Sequence, residues 1–138
     1  MMDRTTVAAR VRHDHAAIRS LLDDVYRACE AARERAVERL RNAVWELHLV
    51  FDEHVAMEEA HVAPILRAEG VRGEARAVDM VLEHNEQRRV IQELVEDAES
   101  DAKELGELVA EARTLVLALT NDMDVEERSL AVVLADVG

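Results

Sequence analysis

The sequence is short of everything that builds turns, strands and cross-links. Among 138 residues there are one cysteine, one proline, four glycines and a single Phe, Tyr and Trp. Lone Cys29 excludes an internal disulfide. So few glycines, prolines and aromatics argue against strands joined by tight turns. No apolar run is long enough to span a bilayer, and Met1-Met2-Asp3-Arg4 lacks a signal-peptide core, so the cytoplasm is the expected location. Basic residues are also scarce, with 17 Lys and Arg against 30 Asp and Glu for a formal net charge of −13. Long-range repulsion at that charge argues against nucleic acid or an anionic membrane as partner and favours neutral or cationic ligands.

What remains is Ala, Leu, Val, Glu and Arg in abundance, the composition of an all-α protein. The length predicts a single domain over 1–138, large enough to bury a core without disulfide or metal staples.

One stretch breaks the helical pattern informatively. At spacings alternating between three and four, Val37, Leu40, Val44, Leu47, Phe51, His54, Glu58, His61 and Ile65 fall on one stripe. Six are apolar, and three in a row are not. Such spacing keeps side chains on one helix face, so His54, Glu58 and His61 are predicted to project inward at consecutive turns. An unpaired buried carboxylate or imidazole costs several kcal/mol, on the order of 3 or more. The compensating arrangements are a bound metal, a buried hydrogen-bond network or a water-filled groove.

The flanking segments repeat this theme. Helix one is predicted to begin near Thr5 or Thr6 and to carry Val7, Val11, His15, Ile18, Leu22, Val25 and Cys29 on its stripe. A break around Glu30 to Arg33 precedes helix two, which runs to about Arg67 with a kink at Pro64 and is ended by Gly70 and Gly73. Helix three, Glu74 to Ala98, places His84 mid-stripe. Helix four follows a connection at Ser100 to Lys103, with Asp101 and Glu104 spaced as a capping box. Asp122 and Glu126 interrupt its apolar stripe.

Four amphipathic helices with short connections predict an antiparallel, up-down-up-down four-helix bundle. The halves also resemble each other. Asp14-His15 with Arg19 and Leu21 matches Glu83-His84 with Arg88 and Val90, and His54-x-x-x-Glu58-Glu59 matches Asp122-x-x-x-Glu126-Glu127. A duplicated hairpin about a pseudo-two-fold axis would bring these residues to a common centre, the geometry of a dinuclear site.

These four pieces, Asp14-His15-x-x-Ile18, His54-x-x-x-Glu58-Glu59 followed by Pro64, Glu83-His84 and Asp122-x-x-x-Glu126-Glu127, resemble the hemerythrin-like HHE cation-binding family. The resemblance covers nearly the whole chain and implies a four-helix bundle around a carboxylate-bridged, oxo- or hydroxo-bridged di-iron centre. It implies that His15 and His54 ligate one iron, that Glu58 and Glu126 bridge the pair, and that His84 and Asp122 serve the other. The family usually offers His where Asp122 stands, and its oxygen carriers have a second helix-three His that Met80 and Arg88 do not supply. A carboxylate there adds negative charge and a harder donor, which favours oxidised metal and disfavours reversible oxygen carriage. His61, three residues after Glu58, has the Glu-x-x-His spacing of ferritin-like sites and is a candidate substitute ligand or second-layer donor.

Other polar residues have plainer readings. His13 and His48 lie off the stripes, Glu59 and Glu127 turn toward a neighbouring helix or solvent, and Arg19 and Arg88 either steady carboxylates at the site edge or, on the safer reading, form surface ion pairs. Tyr26 and Trp45 are too isolated for a stacking site.

Three functions fit. The first is a di-iron protein that binds or reacts with oxygen, peroxide or nitric oxide in sensing or detoxification, with peroxide breakdown among the implied activities. The second is an iron buffer or donor, and the third a metal-free interaction bundle. Iron is the favoured metal, with manganese and zinc as alternatives. A monomer or homodimer is expected.

Overall fold

The computed structural model describes residues 2–135, and among these there is no strand. Helices α1 (Arg4–Cys29), α2 (Arg33–His61), α4 (Val71–Glu99) and α5 (Leu105–Leu134) are long, and α3 (Ala63–Arg67) is a single short turn-and-a-half. Each long helix packs on two others: α1 on α2 and α5, and α4 on α2 and α5. The ring closes into a helical bundle, with α3 lodged against α2 and α4. No described helix is long and apolar enough to cross a membrane.

The core comes in two apolar blocks. The larger includes Ile18, Leu22, Leu40, Leu47, Phe51, Ile91, Leu108, Leu115 and Leu119. The smaller holds Val7, Val11, Met57, Val62, Leu66, Met80, Leu130 and Leu134. Along α1 the smaller block ends at Val11 and the larger begins at Ile18, with buried His15 between them. Likewise His84 of α4 separates Met80 from Ile91, and Glu126 of α5 separates Met123 from Leu130. A polar layer therefore divides the bundle's interior.

Several helix ends differ from the sequence expectation. Asp3, rather than Thr5 or Thr6, caps α1, its Oδ1 accepting from Thr6 N at 2.7 Å. The second helix does not run on to Arg67 as a kinked rod: it ends at His61, and Pro64 falls in the first turn of α3, where its missing N–H leaves nothing unsatisfied. Gly70, with φ 95°, supplies the left-handed turn that starts α4 at Val71, earlier than expected. Gly73 lies inside α4 and is buried because α3 presses on it. A Cβ there would sit 1.7 Å from the Leu66 carbonyl oxygen. The Asp101/Glu104 capping box does not form, since Glu104 caps α5 without a side-chain bond. Instead Ser100 Oγ accepts from Ala102 N at 3.0 Å, and Lys103 ties Asp97 to Glu111 across the connection.

Candidate metal centre

In the polar layer, His15, His54, Glu58 and His84 are buried to within 4% of full enclosure. His15 belongs to α1; His54 and Glu58, one turn apart, to α2; Glu126, half-buried, to α5. One potential ligand atom from each of His15, His54, Glu58 and Glu126 lies within 4.8 Å of the others. The two imidazoles meet edge to face with centroids 4.9 Å apart. His15 Nε2 is 3.0 Å from Glu126 Oε1 and His54 Nε2 crowds against Glu58 Oε1, neither pair with hydrogen-bond alignment.

Each imidazole is aimed by a carboxylate on its outer nitrogen. His54 Nδ1 is 2.9 Å from Asp14 Oδ2, and His15 Nδ1 is 3.0 Å from Glu127 Oε1. Glu127 is itself clamped by Arg19, whose Nη1 and Nη2 donate to its two oxygens at 2.9 Å. His84 Nδ1 faces Glu59 Oε1 more loosely, at 3.4 Å. A carboxylate on Nδ1 fixes the tautomer that leaves Nε2 free as a ligand atom and raises its basicity.

The inward atoms fit a cation. His54 Nε2, Glu58 Oε2 and Glu126 Oε1 are buried with no hydrogen-bond partner, although nearly all buried polar atoms in native structures have one. A metal in their midst would satisfy all three together. Imidazole nitrogen with carboxylate oxygen is a donor set suited to iron, manganese or zinc.

The other predicted site residues are placed less tightly. His84 Nε2 points inward but stands 3.8 Å from Glu58 Oε1. Asp122, partly exposed, accepts from Gln87 Nε2 at 2.9 Å. Both line, with His15, His54, Glu58 and Glu126, a cavity of about 20 Å³, enough for one water-sized occupant. His61 stays half-buried outside the converging group. A strict three-four stripe drifts about 20° per heptad around a straight helix, and by this turn Val62 has taken the inward place.

Charge in the metal-free site is finely balanced. Burial opposes a charge on His54, but the Glu58 carboxylate against Nε2, with Asp14 behind, pushes its pKa up to about 9. Burial likewise opposes protonation of His15, yet Glu126 and Glu127 raise it. Burial dominates at His84 and lowers it. Burial and the neighbouring Glu126 outweigh His54 in raising Glu58. Glu126 is held below the usual carboxylate range: burial works against this, but the contacts with His15 and Glu58 prevail. Arg19 brings Glu127 down to about 2.

Nothing in the sequence pattern points to the Asp14–His54 contact, whereas Arg19 forms the ion pairs expected of it and in doing so steadies Glu127 at the edge of the site. The sequence pattern has Glu59 and Glu127 turned from the centre, which they are, but their destination is the outer nitrogen of a histidine on the next helix. For these two the available signal was adjacency in sequence to a stripe ligand. Compared with known proteins, residues 6–134 match the profile of the Hemerythrin HHE cation binding domain. Neither the curated proteins nor the solved structures yield a match.

Proposed function

The chain belongs to the hemerythrin HHE cation-binding family, and from that premise we propose a non-haem di-iron protein that binds or reacts with a small oxidant in sensing or detoxification. The observation that carries this reading is the convergence of His15, His54, Glu58 and Glu126 with three inward atoms left unpartnered. His15 and His54 would hold a first metal, Glu58 and Glu126 would be shared with a second, and His84 with Asp122 would complete that second site. Iron bound there would supply redox chemistry toward oxygen, peroxide or nitric oxide.

The protein's part is to hold, orient and exclude. Asp14 and Glu127 keep Nε2 of His54 and His15 directed inward. The cavity of about 20 Å³ between these side chains leaves no room for a large substrate. Apolar blocks flank the layer on both sides, which lowers the local dielectric and strengthens charge interactions within it.

The same reading takes the long helices as alternately up and down and the two hairpins as related by a pseudo-two-fold axis. Support for the first comes from Arg4 of α1 meeting Val133 near the end of α5, while Arg19 meets Asp124. The second is supported by paired contacts, because His15 with Glu127 and His84 with Glu59 join corresponding residues of the two repeats.

Metal analysis of protein purified from iron-supplied cells, with an optical spectrum, tests the proposal. About two irons per chain with near-ultraviolet charge-transfer absorption is the expected result. A folded chain without metal would return the bundle to a pure interaction role, and iron that exchanges without redox turnover would make it a buffer or donor.

A further inference from the structure

A cleft of about 160 Å³ runs between α4 and α5, lined by Arg76, Asp79, Glu83, Asp122, Glu126 and Ser129 among others. Its inner wall is shared with the buried cavity, since Asp122 and Glu126 line both. In that buried cavity Glu58, 1% exposed, carries Oε2 without a partner, and Glu126 Oε1 makes no aligned hydrogen bond. Four carboxylates against one guanidinium make the cleft acidic. That one guanidinium is tied across the cleft from α4 to α5, with Arg76 Nη2 donating to the Ser129 carbonyl at 3.0 Å and to Ser129 Oγ.

A second cleft, of about 340 Å³ between α1 and α2, reaches His54 beside Asp14 and is lined by Arg10, His13 and Glu53 as well, so it carries less net negative charge than the α4–α5 cleft. Arg19 lies across Glu127 and Asp124 between α1 and α5, Arg10 and Asp14 back His54 between α1 and α2, and Glu59 backs His84 between α2 and α4. Apolar blocks close both ends.

We infer that the α4–α5 cleft is the entrance through which divalent cations reach the centre, with Asp79 and Glu83 as carboxylates that attract and hand on the ion. The inference rests on the metal-centre reading given above. Asp79 and Glu83 stand at the exposed mouth and Asp122 and Glu126 at the inner end, so a cation meets successive carboxylates between apolar walls formed by Leu66, Met80, Val125 and Leu130. Arg76, pinned to Ser129, keeps its charge at the rim, where it moderates the field. Anions meet net repulsion along the same path.

Stopped-flow uptake of Co²⁺ by the metal-free full chain, followed through the absorption of the bound ion, tests this without any redox turnover. Asp79→Asn with Glu83→Gln should slow uptake about tenfold at low ionic strength, as expected for loss of electrostatic steering. Salt should slow the wild type toward the variant and change the variant little. Final cobalt content and spectrum should be the same in both. Arg76→Gln should speed uptake by about threefold by the same reasoning. Asp52→Asn with Glu53→Gln, equal in charge change but on α2, should leave the rate within about twofold. Normal wild-type uptake with an unchanged rate in Asp79→Asn/Glu83→Gln overturns the entrance alone, as does equal slowing by the α2 pair. A wild-type chain that takes up no cobalt overturns the centre itself.

Discussion

In the half of the centre built on α1 and α2, His54 is braced by Asp14 at 2.9 Å and His15 by Glu127 at 3.0 Å, and both imidazoles converge with Glu58 and Glu126. In the half built on α4 and α5, His84 leans on Glu59 at 3.4 Å, stands 3.8 Å from Glu58, and Asp122 is engaged by Gln87. Two stretches of similar sequence have therefore reached different degrees of preorganisation. A site whose ligands are already braced loses less side-chain freedom on binding. The α1–α2 half is expected to fill first and hold its metal more tightly, while the α4–α5 half must release Asp122 from Gln87 and draw His84 in.

The strongest way to break this comparison is to remove what the halves share. Glu58→Ala and Glu126→Ala should each abolish most metal binding in both halves, because a bridging carboxylate offsets the repulsion between the ions. About two metals per chain retained by either variant would rule out the bridge. Next come single-half variants. His15→Ala should empty or weaken the first site and leave the helical circular dichroism intact, since the two apolar blocks do not depend on a metal. Asp122→Ala should lower stoichiometry from about two to about one, and His61→Ala should leave it unchanged. The reverse pattern in that last pair would make His61 the ligand. Asp122→His should keep both metals and raise the reduction potential, as a neutral donor replaces an anionic one.

Smaller effects sharpen the contrast between braces. Asp14→Asn should weaken the first metal by about 10–100-fold. Glu59→Gln, at a longer and weaker contact, should weaken the second by only about threefold. Titration calorimetry at fixed pH reads both, and equal losses would remove the difference in preorganisation. The pH dependence should differ too. Below about pH 9 a metal must displace the proton on His54, so first-site affinity should climb by up to about tenfold per unit and flatten above 9. His84, lowered by burial, is neutral at pH 7 and gives the second site a shallower slope. In the metal-free chain the raised His54 contributes stability that is complete below its unfolded value of 6.5 and is lost as pH rises through about 9. Glu58, raised by burial, acts in the same direction, so the metal-free denaturation midpoint should be lower at pH 9 than at pH 6.

The four long helices and their stripes were legible because helical periodicity is local, and six of the seven residues singled out as ligand candidates line one cavity. The failures have separate physical causes. Pro64 reads from sequence as a kink because a helix interior cannot supply its missing donor, whereas a break at Val62 turns the same residue into a helix starter. His61 reads as inward because a regular spacing hides the slow rotation of a straight helix. Gly73 reads as punctuation, but its hydrogen makes room for the Leu66 carbonyl, a tertiary contact with no local signature. Arg19 and Glu127 sit 108 residues apart, and no periodicity links them.

The polar layer also divides the molecule's cooperativity. On one side lies a block built from leucines of all four long helices; on the other, a smaller one that relies on methionines and on the short α3. Without the metal, their shared layer holds unpartnered atoms, and the two sides are joined through it by the helices themselves and by the imidazole–carboxylate contacts. Amide protons of α3 and the neighbouring turn of α4 should then exchange with deuterium far sooner than those flanking Leu47 and Leu115. Binding that joins α1, α2, α4 and α5 through one centre would draw the two sets of exchange rates together, making the ion a fastener between subdomains as well as a reagent.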